Sequence, residues 1–137
     1  MFKNRWAVCT LLLQLSCGKP LTPSPPPFVG RWRATSFSMD VPQACQEASV
    51  EFRADGTMIT RSGDQTLTAH YVAQGKRRTF VLTLSGVRVN DRPNCQGIPS
   101  ELVLKYQVSQ LYLDVSGDTV RVRGGPDAPS FVMTRLP

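Results

Sequence analysis

The sequence predicts an all-β domain, a small antiparallel up-and-down β-barrel, with a β-sandwich as the alternative. Two observations point there. Glycine-containing turn signals recur at Asp55-Gly56, Ser62-Gly63-Asp64, Gln74-Gly75-Lys76, Ser116-Gly117-Asp118 and Gly124-Gly125-Pro126. Between them lie runs of period two, rich in Val, Thr, Phe, Tyr and Leu. Links of hairpin length favour nearest-neighbour pairing, and closure into a barrel removes the exposed edges that invite aggregation.

The runs follow in order. Trp32–Met39 opens the body, Val50–Phe52 leads into the Asp-Gly turn, and Thr57–Arg61 returns from it. Thr66–Ala73 and Arg78–Leu84 form the next pair across Gly75. Leu102–Val108, Leu111–Val115, Thr119–Arg123 and Ser130–Leu136 complete eight or nine short strands. No window has helical periodicity; the best candidate is a single turn of helix around Ala44 to Ala48. Alternation places Phe80, Leu82, Leu84, Val120, Val122, Phe131 and Met133 on one face as core. A slip of one residue would turn each strand inside out.

What precedes the body is of another kind. Lys3 and Arg5 give a basic start, an uncharged and mostly apolar run from Trp6 to Leu15 follows, and Ser16-Cys17-Gly18 comes next. A charged start, an apolar core and a small residue before the cut make a secretory signal over residues 1–16. The core is too short to span a bilayer, which takes roughly 20 apolar residues. Residues 17–27 hold five prolines in the ten positions from Gly18 to Pro27. Proline fixes φ and lacks the N–H, so this stretch reads as a stiff extended tether. The folded domain then covers residues 28–137, enough for a single core.

The chain of 137 residues carries a formal charge of +6, about +4 once Lys3 and Arg5 leave with the signal. Most basic residues alternate within strand-like runs and so point to solvent. The one cluster, Lys76-Arg77-Arg78, reads as a charged hairpin tip; weak attraction to anionic headgroups or envelope polymers is the other reading. A nucleic-acid face would want a longer basic run interleaved with exposed aromatics. Nucleic acid is therefore not an expected partner.

Two cysteines remain in the body, Cys45 and Cys95, both in loop-like sequence. In an exported chain a single remaining pair is most simply a disulfide. Metal binding competes poorly, since there is no CxxC and the lone histidine is His70. No metal or cofactor site is expected. Nor is catalysis: nothing in the sequence orients His70 toward an acid or a serine. Asp55, Asp64, Asp91 and Asp118 sit in turns, where aspartate bonds local backbone. Gly124-Gly125-Pro126 precedes no helix, so it is no phosphate loop.

Two features carry family resemblances. Ser16-Cys17 after the apolar run resembles the lipobox of bacterial lipoproteins, in which the cysteine is lipidated and becomes the first mature residue. Gln14 and Leu15 depart from that pattern, and an ordinary signal peptide cut nearby is the alternative. Cys9 has too little apolar sequence before it to be the anchor. The resemblance implies lipidation at Cys17 and an exported, membrane-anchored protein of the bacterial envelope. With Gly18 following, it implies the outer membrane where there are two.

The second resemblance lies at the ends of the body. Gly30-Arg31-Trp32 makes a Gly-x-Trp, and Arg135 stands in Phe131–Leu136. Together with Phe52–Thr57 and Tyr112–Val122, they resemble the lipocalin-like barrels of bacterial lipoproteins. There the tryptophan lies across the barrel floor and a late arginine packs over it. The resemblance implies that Trp32 and Arg135 close one end of the barrel and leave the loops of the other end as contact surface. It also implies a small apolar ligand or lipid in the interior. The inward Phe80, Leu82, Leu84, Phe131 and Met133 could instead fill so short a barrel. A cavity of roughly 300 Å³ or more would mark a carrier. A packed interior with an apolar loop patch would mark a protein–protein module of the envelope, an assembly factor or an inhibitor of an external hydrolase. A cleft joining His70 to an acid would mark an enzyme.

Overall fold

A computed structural model describes residues 24–37, 42–125 and 127–137 of the chain. The signal segment, Cys17 and most of the tether lie outside the described residues. The body is a closed barrel of eight antiparallel strands, each paired with its neighbours in sequence. The strands are β1 (Gly30–Phe37), β2 (Ser49–Phe52), β3 (Thr57–Ser62) and β4 (Gln65–Lys76), then β5 (Thr79–Val89), β6 (Gln110–Ser116), β7 (Thr119–Arg123) and β8 (Ser130–Arg135). β1 pairs with both β2 and β8, and that second ladder closes the sheet. The expected all-β, up-and-down barrel is therefore the architecture, and the sandwich alternative is not.

Alternation sets the register. Phe80, Leu82, Leu84, Val120, Val122 and Met133 are buried, and Phe131 packs partly buried against them. A 3₁₀ turn covers Gln43–Glu47, where a turn of helix is expected. Two expectations fail. Leu102–Val108 is not a strand; Ser100–Lys105 forms a short helix, α1. The ladder between β5 and β6 runs only from Thr79↔Asp114 to Thr83↔Gln110, and the chain before Gln110 leaves the sheet instead of continuing along β5. Glu101 in its first turn and Lys105 in its last suit the helix dipole.

The turn between β4 and β5 also lies later than Gln74-Gly75-Lys76. The ladder continues to Lys76↔Thr79, and Arg77-Arg78 make the tip. Gly75 serves close approach rather than the turn: a side chain there would run into the Thr79 carbonyl across the ladder. β5 also extends past the expected Leu84, through a bulge. Thr68 pairs with Arg88 and His70 with Ser85, so two residues oppose one, and Gly86 takes a left-handed φ of +59°.

The two barrel ends differ. The first holds the start of β1, the end of β8 and the three tight hairpins after β2, β4 and β6. Here the chain enters from the tether, and Phe28 turns inward to full burial. Its ring meets Phe52, Tyr71 and Phe80 edge-on, at centroid distances of 5.5, 5.7 and 5.0 Å. Such pairs each add about 0.5–1.5 kcal/mol beyond the area they bury. The Tyr71 hydroxyl donates to the Arg53 carbonyl, and burial, with Asp55 second, pushes that phenol's pKa up.

Trp32 lies above Phe28, fully buried. Three consecutive carbonyls of the entering chain each receive a side-chain donor. Arg135 Nη2 donates to Pro27 at 2.6 Å, Trp32 Nε1 to Phe28 at 2.7 Å, and Arg135 Nη1 to Val29 at 2.9 Å. The Arg135 guanidinium stacks on the Trp32 indole, 4.2 Å from the ring centroid, with Nε 3.5 Å from Asp118. Gly30 makes room: a Cβ there would stand 2.5 Å from Arg135 Nη1.

Removing the indole should cost far more than removing the cation above it. Trp32→Ala should destabilise by about 3–5 kcal/mol, as for a core aromatic. Arg135→Ala should cost about 1–3 kcal/mol, from a lost cation–π contact and two lost charged hydrogen bonds. Denaturant midpoints of the two variants check this. An Arg135→Ala loss equal to or above that of Trp32→Ala would contradict it.

Candidate functional site

The second barrel end carries the long connections. Residues 38–48 join β1 to β2, residues 90–109 with α1 join β5 to β6, and residues 124–129 join β7 to β8. A cavity of about 280 Å³ opens there. Its walls come from side chains that shrink toward the mouth. Along β1 the inward residues pass from Trp32 to Ala34, along β2 from Phe52 to Val50, and along β3 from Met58 to Thr60 and Ser62. The space that Trp32, Phe52 and Met58 fill at the floor is thus left open above. An eight-stranded barrel is just wide enough either to be filled by side chains or to hold one small ligand.

β8 completes the wall with Met133 and Phe131. The ladder between β1 and β8 shifts register between Ala34 and Ser36. This irregularity sits beside the cavity, where bulges commonly bend a barrel rim. The lining is chiefly apolar, with Thr60, Ser62, Asn94, Gln96 and Ser130 as its polar members. Two of these are engaged in holding the rim. Ser62 Oγ accepts from Cys95 N at 3.1 Å, and Asn94 Oδ1 accepts from the N–H groups of Gln96 and Ile98, both at 2.9 Å.

Cys45 and Cys95 are joined in a disulfide, with Cα atoms 5.0 Å apart. The bond straps the loop after β1 to the loop after β5, and both cysteines line the cavity. The second loop is tied down further. Buried Gln65 donates to the Arg92 carbonyl at 2.8 Å, and Asn90 bridges to Thr66 N and the Asp64 carbonyl, both at 3.1 Å. The mouth is therefore a built rim. Past it, Leu102, Leu104 and Tyr106 stand exposed on and beside α1.

Trp32 and Arg135 lie together at the opposite end, under the floor of the cavity. His70 is elsewhere again, exposed on the outer face of β4 beside the Gly86 bulge. With Thr57, Thr68 and Arg88 it borders a surface depression of about 380 Å³ whose lining includes no carboxylate. Asp55 sits at the β2–β3 turn, its carboxylate accepting from Thr57 N at 2.9 Å. Hydrogen bonds from the Thr57 side chain and then its backbone hold that carboxyl below the usual carboxylate range. It is a turn aspartate bonded to local backbone. No group of three His, Cys, Asp or Glu side chains gathers among the described residues.

Sequence reasoning left a hollow and a filled interior both open, did not place the cavity's lining, and missed the plug below it. The signal for the cavity was the small residue at each upper inward position: Ala34, Ala48, Thr60 and Ser62. The signal for the plug was one phenylalanine between the prolines and the Gly-x-Trp. No protein-family model matches the chain, and no curated protein or solved structure matches it either.

The disulfide spans 50 residues of chain. Constraining a loop of that length in the unfolded state is worth about 4 kcal/mol in the chain-entropy model. That is a large share of a small domain's typical 5–15 kcal/mol. Reduction should therefore lower the melting temperature markedly, read by circular dichroism with and without reductant. Two alkylatable thiols in the native oxidised protein would rule the bond out.

Proposed function

We propose that the protein is an exported lipoprotein of the bacterial envelope, held to its membrane by a lipid on Cys17. Its barrel works in the lipocalin manner, taking a small apolar molecule or a single acyl chain into the mouth cavity. The observation that carries this is the cavity itself. About 280 Å³ of chiefly apolar space, walled by Ala34, Val50, Phe131 and Met133, opens at the end away from the tether. That is close to the lower limit of small-molecule sites, roughly 300 Å³. A ligand there would gain by burying apolar surface, at about 25 cal/mol per Å². Thr60 would offer a polar contact near the mouth. The placement suits a tethered carrier of the outer membrane: the chain enters at one end and the cavity opens at the other, free of the tether.

A second reading has its own observation. Leu102 and Leu104 are nearly half exposed and Tyr106 is 73% exposed, all in the connection that borders the mouth. A patch of this kind would suit a protein partner in the envelope.

The tether is tested by labelling exporting cells with a clickable fatty acid. The protein should be tagged, and Cys17→Ala should abolish the tag. An untagged, freely soluble product would overturn the lipoprotein reading.

The cavity is tested by titration with a fluorescent fatty acid. Binding should be saturable. Ala48→Phe, which sends a ring into the cavity from the rim, should weaken it at least about tenfold. The pair Leu102→Ser and Leu104→Ser should leave it unchanged. No saturable binding would remove the carrier reading and leave the protein–protein module.

A further inference from the structure

We propose that the tether end of the barrel is a docking face for an anionic membrane surface, with the hairpin tip Lys76-Arg77-Arg78 as its contact. Which membrane it meets rests on the tethered reading above; the affinity for anionic lipid does not. The first observation is placement. The chain enters the barrel beside Arg31 at the start of β1, and the β4–β5 tip stands on the same end. A polyproline-like tether from Cys17 to Phe28 would reach about 35 Å at roughly 3.1 Å per residue. A lipid on Cys17 would attach the domain at this end and not at the mouth.

The second observation is projection. β3 pairs with β4 only from Thr57↔His70 to Ser62↔Gln65, whereas β4 and β5 continue together to Lys76↔Thr79. The arm from Tyr71 to the tip thus runs past its β3 neighbour, while on its other side β6 accompanies it to Arg78, whose carbonyl accepts from Val115 N at 2.7 Å. Val72, on the outer face of this arm, is 68% exposed and adds apolar surface.

The third is that the charges are unspent. Lys76, Arg77 and Arg78 are exposed, and none makes a salt bridge among the described residues. Other charges at this end are engaged: Glu51 with Arg53, Asp118 with Arg135, and Asp55 with Thr57. Asp114, opposite Thr79, leaves the tip net positive.

The fourth is the backbone. Arg77 has a φ of +59°, alone among the described non-glycine residues in being positive. A two-residue hairpin turn that needs positive φ favours glycine, asparagine or aspartate. An arginine held there at a local cost in backbone energy marks a position where the side chain matters. The tip lines none of the concave sites described above. Three clustered, exposed cations on one hairpin tip suit an extended field of phosphates, which a bilayer surface supplies.

The test uses the full chain carrying Cys17→Ser, so that no lipid anchor contributes. Sedimentation with vesicles of phosphatidylcholine alone, and of phosphatidylcholine with phosphatidylglycerol, gives the gain due to anionic lipid. The variant Lys76→Gln/Arg77→Asn/Arg78→Gln removes the tip charges while giving the positive-φ position a residue that accepts it. Its melting temperature should hold or rise, and the gain should fall by about tenfold to a hundredfold. A control, Arg61→Gln/Arg88→Gln/Arg92→Gln, removes three charges away from this end and should keep most of the gain. Raising the salt should erase the gain in the parent. An equal loss in both variants would reduce the effect to overall charge and overturn the proposal, as would no loss in either. Absence of a fatty-acid tag on the native protein would sink the tether without touching this result.

Discussion

The structure depends on the contact of Arg135 with the chain at 27–32. A barrel closed by pairing its first and last strands must also finish the chain that leads into the first. Where that lead-in passes inside, its backbone leaves the sheet, and its carbonyls lose their ladder partners. Here Pro27, Phe28 and Val29 each recover a donor from a side chain, two from Arg135 and one from Trp32. An orphaned buried carbonyl would cost about 1–3 kcal/mol. The cation itself is satisfied by the same contacts, by the indole face and by Asp118. Gly30 belongs to this device, since any side chain there would collide with the guanidinium. Glycine, tryptophan and arginine thus form one unit, although the arginine lies about a hundred residues from the others.

That floor determines what the other end can be. Phe28, Trp32 and Phe52 concentrate bulk low in the barrel, all at full or near-full burial. With the floor packed, the domain has a core dense enough to stay folded around small residues above. The hollow is then supported from two directions, by the aromatic floor and by the disulfide strap across the rim. Polar side chains secure the rim by bonding backbone, as Ser62, Asn94 and Gln65 do, so most of the wall is left apolar.

How much of this was legible follows from the range of each interaction. Strands and tight hairpins are local, and Asp55-Gly56 or Gly117-Asp118 reveals its turn in a few letters. Trp32 and Arg135 could be paired by position because closure of any up-and-down barrel joins its ends. Leu102–Val108 misled because its alternation is sound, yet the ladder of β5 and β6 stops at Thr83↔Gln110 and the segment before it turns helical. Gly75 misled because glycine signals both a turn and a close approach, and the two are indistinguishable until the opposite strand is placed. The cavity was hidden for a different reason. It is an absence of volume shared among β1, β2 and β3, and no single stretch records it.

The closing ladder has a consequence for the order of events during folding. β8 is the last strand, yet it supplies both the partner of β1 and the arginine that stacks on Trp32. A chain emerging N-terminus first would carry β1 through β7 with two open edges, an unstacked indole and the Pro27 and Val29 carbonyls without their Arg135 donor. None of the earlier strands can finish its core without the final six residues of sheet. The domain therefore has no autonomous N-terminal half. The pairing of β1 with β8 spans nearly the whole body, a contact of the high sequence separation that slows folding in general.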